Sequence, residues 1–156
     1  MNRKFLIPFL CSIVILLVSC PSRKGQEYIL LVNNTNKCVG FVFSTKQDTL
    51  FYCSDMGVVI PFVVDSFSSF SLDDGDSYSS WDSWINQITF YVIDEGVYKM
   101  YWTSPCDTIY KYVPVLQRYR LKLEDLQKLD WTVAYPPTEA MKDMDIYPPY
   151  REASDN

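Results

Sequence analysis

Apolar and polar positions divide the chain into a leader, a series of short strand-like segments and a polar end. Phe5 to Val18 carries no charge and is rich in Leu, Ile, Val and Phe; Asn2-Arg3-Lys4 puts a short positive stretch before it. From Tyr28 onward, apolar runs alternate with turn residues at the spacing of an all-β domain. Tyr28–Val32 is broken by Asn33-Asn34-Thr35-Asn36, Cys38–Phe43 by Ser44–Asp48, and Thr49–Cys53 by Ser54-Asp55; Val58–Val64 carries an interruption at Pro61. Residues 65–80 are dominated by Ser, Asp and aromatics, which predicts a long exposed loop. Trp81, Trp84, Ile85 and Ile88 recur at spacings of three and four and predict a helical turn or two. Ile88–Ile93 is the most strand-like run of all, turned by Asp94-Glu95-Gly96.

Two helices are expected in the second half. Ser104-Pro105-Cys106-Asp107 has the order of a helix start: a capping Ser, Pro at the first helical position and Asp three after the cap. That helix would run to about Tyr112. Leu123, Leu126 and Leu129, threaded among charges, mark a second, between the strands Val115–Leu121 and Trp131–Tyr135. Pro136-Pro137 stops the last strand, and 137–156 is polar and reads as a flexible tail. The expected fold is an all-β, antiparallel β-sandwich of about seven to nine short strands with two short helices in its second half, occupying 28–136.

The leader has the layout of an export signal. As a helix, Phe5–Val18 would reach ~21 Å, short of the ~30 Å hydrocarbon layer, so it makes a poor permanent span. It closes on Leu17-Val18-Ser19-Cys20, which resembles the lipobox of bacterial lipoproteins: Leu three before the cysteine, a small residue, then Cys. The resemblance implies cleavage of 1–19 and a diacylglyceryl group on Cys20, whose thiolate is a good nucleophile for an alkyl group. Two or three acyl chains would anchor the protein stably. Residues 20–27 then form a lipidated tether, in which Pro21–Gln26 spans at most ~20 Å.

A second resemblance covers about a third of the chain. Ile88–Asp94, Leu116–Leu126 and Leu129–Pro137 are similar to stretches of small uncharacterised lipoproteins of gut Bacteroidales. Members usually carry a capping Thr or Ser where this chain has Lys122. The resemblance implies a bacterial envelope protein and brings no activity or site with it.

Composition narrows the chemistry. Cleavage would remove Arg3 and Lys4 but no acid, taking the formal charge from −5 to −7 over 137 residues. No basic patch fits that balance, so nucleic acid is not an expected partner. There are no histidines, which excludes Ser-His-Asp and Cys-His hydrolysis and any imidazole-based zinc site. Carboxylates, Tyr, Lys, Ser and Cys remain, none titrating naturally near neutrality. Three cysteines follow Cys20 in a compartment that permits disulfides. A hairpin of Cys38–Phe43 with Thr49–Cys53 would set Cys38 opposite Cys53 if its loop had four residues; free buried thiols are the alternative.

Several constellations are candidates for function. Tyr78, Trp81, Trp84 and Trp102 would make an aromatic platform for a ligand, although the spacing of three equally suits core positions. Asp73-Asp74-Gly75-Asp76 offers oxygens but lacks the spacing of a calcium loop, so no metal is assigned. Asp94 and Glu95 offer carboxylates but read as a turn, and no catalytic residue or cofactor is expected. Asn33-Asn34-Thr35 is a formal glycosylation sequon without meaning in a bacterial protein. The expectation is a non-catalytic envelope module, held to the membrane through lipid on Cys20 and binding an unidentified protein or glycan. A carboxylate-based glycan hydrolase and a periplasmic immunity-type protein are the alternatives. Lipoproteins that Bacteroidales send to the cell surface tend to carry acidic residues just after the lipidated cysteine, so the resemblance implies that this chain, with the basic Pro21-Ser22-Arg23-Lys24, stays on the periplasmic face of the outer membrane.

Overall fold

The computed structural model describes residues 28–45, 53–54, 57–58, 61–73, 81 and 85–151. In chain order the strands are β1 (Tyr28–Asn33), β2 (Val39–Ser44), β3 (Cys53–Ser54), β4 (Gly57–Val58) and β5 (Phe62–Val64). They continue with β6 (Ser68–Asp73), β7 (Gln87–Asp94), β8 (Val115–Lys122), β9 (Thr132–Tyr135) and β10 (Asp145–Tyr147). The helices of the described residues are α1 (Glu95–Tyr101), α2 (Cys106–Tyr112) and α3 (Leu123–Lys128), with a 3-10 turn at Glu139–Met141.

The run that reads most strongly as a strand becomes the middle of the larger sheet. β7 lies at the centre of the order β10-β8-β7-β2-β5, in which every neighbouring pair is antiparallel. All its residues from Ile88 to Ile93 are buried, so both of its faces are covered. Ile88, Phe90 and Val92 point into a core shared with Ile29 and Leu31 of β1, Leu72 of β6 and Val133 of β9. These last three strands form the smaller sheet, β6-β1-β9, antiparallel between β1 and β6 and parallel between β1 and β9. Tyr91 and Ile93 point the other way, onto Tyr98 of α1, Ile109 of α2 and Val113. The molecule is thus a β-sandwich with a helical layer on the outer face of its larger sheet.

Two local features hold these layers in register. Gly40 on β2 sits where a Cβ would come within 2.8 Å of Pro61 Cβ and 3.1 Å of Ile93 Cγ1, so only glycine allows that approach. Asn33, fully buried at the end of β1, ties the sheets together. Its Nδ2 donates to the carbonyls of Lys37 (2.7 Å), Val64 (3.1 Å) and Asp65 (3.0 Å). Its Oδ1 accepts from the backbone N–H of Thr35 (3.0 Å) and the Thr35 hydroxyl (2.7 Å). The sequon at Asn33 is therefore closed to modification in the folded chain.

The fold differs from the sequence reading at five places. β6 lies inside the stretch expected as a loop; Ser-rich as it is, it forms because its backbone completes that of β1 over six residues. The expected tail is built into the sandwich: Met141 is fully buried, Ile146 is nearly so, and β10 pairs with β8. The Asp94-Glu95-Gly96 turn opens a third helix, α1, because the Asp94 carboxylate accepts from Val97 N–H at 2.9 Å and caps it. α2 starts one residue later than expected, after Pro105, without a side-chain cap. The hairpin considered for Cys38–Phe43 with Thr49–Cys53 falls largely outside the described residues, at Thr49–Tyr52; Cys53 itself pairs with Val58 between β3 and β4. Cys38 is a free, exposed thiol, whereas Cys106 is disulfide-bonded, so the Cys38–Cys53 pair is absent. At α3, Lys122 offers no acceptor; Asp125 compensates by accepting from Lys122 N–H at 3.0 Å.

Candidate functional site

Among the described residues the helical layer groups four exposed large apolar side chains, Met100, Trp102, Tyr110 and Tyr112. α1 leaves the end of β7 at the Asp94 cap, and Tyr98 turns down onto the sheet, where burial raises its pKa. The chain then turns back, with Ser104 N–H donating to Tyr101 O at 2.8 Å, and enters α2, whose Ile109 is fully buried. This leaves Met100 (69% exposed), Trp102 (54%) and the half-exposed Tyr112 pointing to solvent. Tyr101 and Tyr112 stack at 5.2 Å with ring planes 13° apart. Lys111 Nζ lies 5.0 Å from the Tyr112 ring centre. Stacking and cation cover hold Tyr112 in place, and the disulfide at Cys106 fixes the start of α2.

A second, polar surface lies on the same side of the larger sheet, over β8 and β10. Arg118 and Arg120 approach the Asp145 carboxylate at 3.8 and 3.6 Å, and the Arg118 guanidinium lies 5.9 Å from the Tyr147 ring centre. A shallow depression of about 420 Å³ adjoins it, lined by Gln87, Arg120, Lys122, Asp125 and Asp145 among others. Cations and carboxylates balance there, and exposed pairs of this kind contribute little to stability. The surface does not select a charged ligand.

The residues singled out from the sequence fall in three places. Cys20, Tyr78 and Trp84 lie outside the described residues. Trp81 is 1% exposed, in the core between the sheets, with its ring edge-on to Phe43 at 6.0 Å. Trp102 is exposed on the helical layer, on the other face of the larger sheet. Trp81 and Trp102 therefore share no surface, and of the described members of the platform only Trp102 presents itself to solvent. Met100 and Tyr112, which the sequence reading passed over, are its neighbours in the helical layer. The signal available for them was the coincidence of large apolar side chains with the solvent side of α1 and α2, legible only once α1 is known.

The candidate carboxylates are engaged in the fold. Asp94 caps α1, and the buried Glu95 pairs with Lys99 one turn later. The hydrogen bond that the Lys99 ammonium donates to the Glu95 carboxylate holds the Lys99 pKa above its usual value. Asp74, Gly75 and Asp76 lie outside the described residues, and among those described no three Cys, Asp or Glu side chains gather as a metal site. Burial raises the pKa of Tyr119, whose hydroxyl donates to Ala134 O at 2.8 Å, and of Tyr135, where the nearby Asp94 carboxylate adds to the rise. No described helix is long and apolar enough to cross a membrane.

The architecture places the chain among all-β sandwich proteins. No protein-family model, curated protein or solved structure matches it.

Proposed function

We propose that the chain is a lipid-anchored module of a bacterial cell envelope, without catalytic chemistry, that binds a partner through the solvent face of α1 and α2. The observation that carries this reading is the grouping of Met100, Trp102 and Tyr112 in solvent on α1 and α2, whereas exposed large side chains elsewhere, among them Tyr28, Phe67, Phe70 and Tyr147, are spread over separate strands and a turn. Large exposed apolar side chains grouped on one element mark interaction surfaces, and Trp and Tyr are the types that most often anchor them. The anchor is Cys20, supported by Leu17-Val18-Ser19-Cys20 after a charged start and an apolar run. The basic residues just after Cys20 favour the periplasmic face of the outer membrane. The engagement of Asp94 and Glu95 in a cap and an ion pair leaves the hydrolase alternative without a carboxylate pair at that position.

The test is affinity capture of the tagged full chain from membranes of the cells that make it, beside the Trp102→Ala/Tyr112→Ala variant. A partner protein or glycan should be captured by the parent chain and lost with the variant while the variant stays folded. Equal capture by both would remove the helical layer as the contact surface. Turnover of a glycan panel by the parent chain would overturn the non-catalytic reading.

A further inference from the structure

Strand edges expose unpaired backbone groups, and proteins shorten, kink or charge them to prevent joining. Of the four edges of the two larger sheets, three are treated in this way. β5 has three residues behind Pro61, β9 has four and stops at Pro136, and β10 has three and stops at Pro148. β6 is different: six residues, Ser-Ser-Phe-Ser-Leu-Asp, paired with β1 without a bulge and free of Pro and Lys. Among the described residues no strand lies on its other side.

The hydrogen-bond pattern fixes which groups that edge offers. Leu30 N–H donates to Trp131 O (2.8 Å) and Asn34 N–H to Tyr135 O (2.7 Å), so the even-numbered residues of β1 turn their backbone toward β9. Ile29, Leu31 and Asn33 therefore face β6, where their partners are Leu72, Phe70 and Ser68. Ser69 and Ser71 are left with N–H and C=O directed outward. Between them Phe70 points toward the core side, its ring 5.4 Å from that of Phe62, yet it is still 37% exposed at the margin.

We infer that β6 pairs antiparallel with β6 of a second copy of this chain about a two-fold axis at Phe70. The pattern is self-complementary. Ser69 and Ser71 exchange backbone bonds with Ser71 and Ser69 of the copy, two donors and two acceptors on each side. Phe70 meets its symmetry mate in a closely spaced, non-hydrogen-bonded position, where an aromatic pair adds stability. The small Ser69 and Ser71 side chains face each other on the outer surface without crowding. Asp73 falls beyond the two-fold, opposite Phe67 of the copy, so no carboxylates confront each other. Two three-stranded sheets become one of six strands. The contact uses neither Cys20 nor the helical layer and stands independently of the function proposed above.

The test is sedimentation equilibrium of the full chain in density-matched detergent. The parent chain should have twice the monomer mass. Ser71→Pro, which removes an N–H directed away from β1, should give the monomer mass with an unchanged circular dichroism spectrum. A second variant, Ser69→Lys/Ser71→Lys, places lysines opposite lysines and should also be monomeric, and mixing it with Ser69→Glu/Ser71→Glu should restore the dimer. A parent chain that is monomeric at all concentrations would overturn the pairing and leave the edge to a chain of another protein. So would a dimer that persists unchanged in both variants.

Discussion

Asn33→Asp is the sharpest perturbation of the sandwich. The change preserves shape, yet replaces a donor that faces three carbonyls with an acceptor. In the native chain two amide hydrogens are shared among the carbonyls of Lys37, Val64 and Asp65, at 2.7 to 3.1 Å. Each such bond contributes a net ~1 kcal/mol, and a buried group left unsatisfied costs ~1–3 kcal/mol. The bond to Val64 is buried and the other two are partly buried, so removing all three donations costs about 3–5 kcal/mol. A carboxylate would add repulsion from three carbonyl oxygens while keeping the two bonds from Thr35. The site disfavours the charged form, so the folded-state pKa of the new carboxyl rises above its unfolded value. The penalty should therefore be largest near pH 7 and shrink as the pH falls toward 4. Urea unfolding followed by tryptophan fluorescence, at pH 7 and pH 4.5, measures this against Asn33→Ala. A loss below about 1 kcal/mol at pH 7, within the range of ordinary surface changes plus error, would refute the claim that Asn33 ties the two sheets together.

Three further outcomes follow from the packing. Gly40→Ala should destabilise the fold by ~1–3 kcal/mol in the same assay, because Pro61 and Ile93 already occupy the space of a Cβ. Trp81→Ala should cost ~3–5 kcal/mol and Trp102→Ala less than about 0.5, since one ring is core and the other solvent-exposed; the reverse order would be incompatible with the layers described. Burial raises the hydroxyl pKa of Tyr98, Tyr119 and Tyr135, so the folded state keeps protons that the unfolded state releases above pH ~10. Their contribution is complete below pH ~10 and is lost as pH rises beyond it; an alkaline titration of stability should fall there, and less steeply in Tyr119→Phe.

Strand character was legible wherever the side chains themselves carried it. Ile88–Ile93 is apolar and β-branched or aromatic at nearly every position, and it became the central strand. Leu123, Leu126 and Leu129 gave α3, and Cys106–Tyr112 gave α2, because each has its own periodicity or start signal. What escaped was structure imposed by partners. β6 has one buried side chain, Leu72, and owes its conformation to the β1 backbone. β10 is a polar segment held by Ile146 and by pairing with β8, with Met141 buried just before it. In α1, Gly96 suggested a turn, while the cap at Asp94 and the burial of Tyr98 supply the helix. Missing α1 also hid the exposed face: Trp102 was singled out among the tryptophans, but Trp81 spaced like a helix face proved to be core. A side chain's distance from solvent depends on the second layer, which no local pattern encodes.

The most direct test of the envelope-module account is the intact mass of the chain extracted from membranes, with fragmentation of its N-terminal peptide. The account predicts loss of residues 1–19 and a diacylglyceryl-modified Cys20 at the new N-terminus, with Cys20→Ala accumulating as the uncleaved precursor. A mature Cys20→Ala chain of normal processed mass, or a parent chain that begins with an unmodified Cys20, would contradict it.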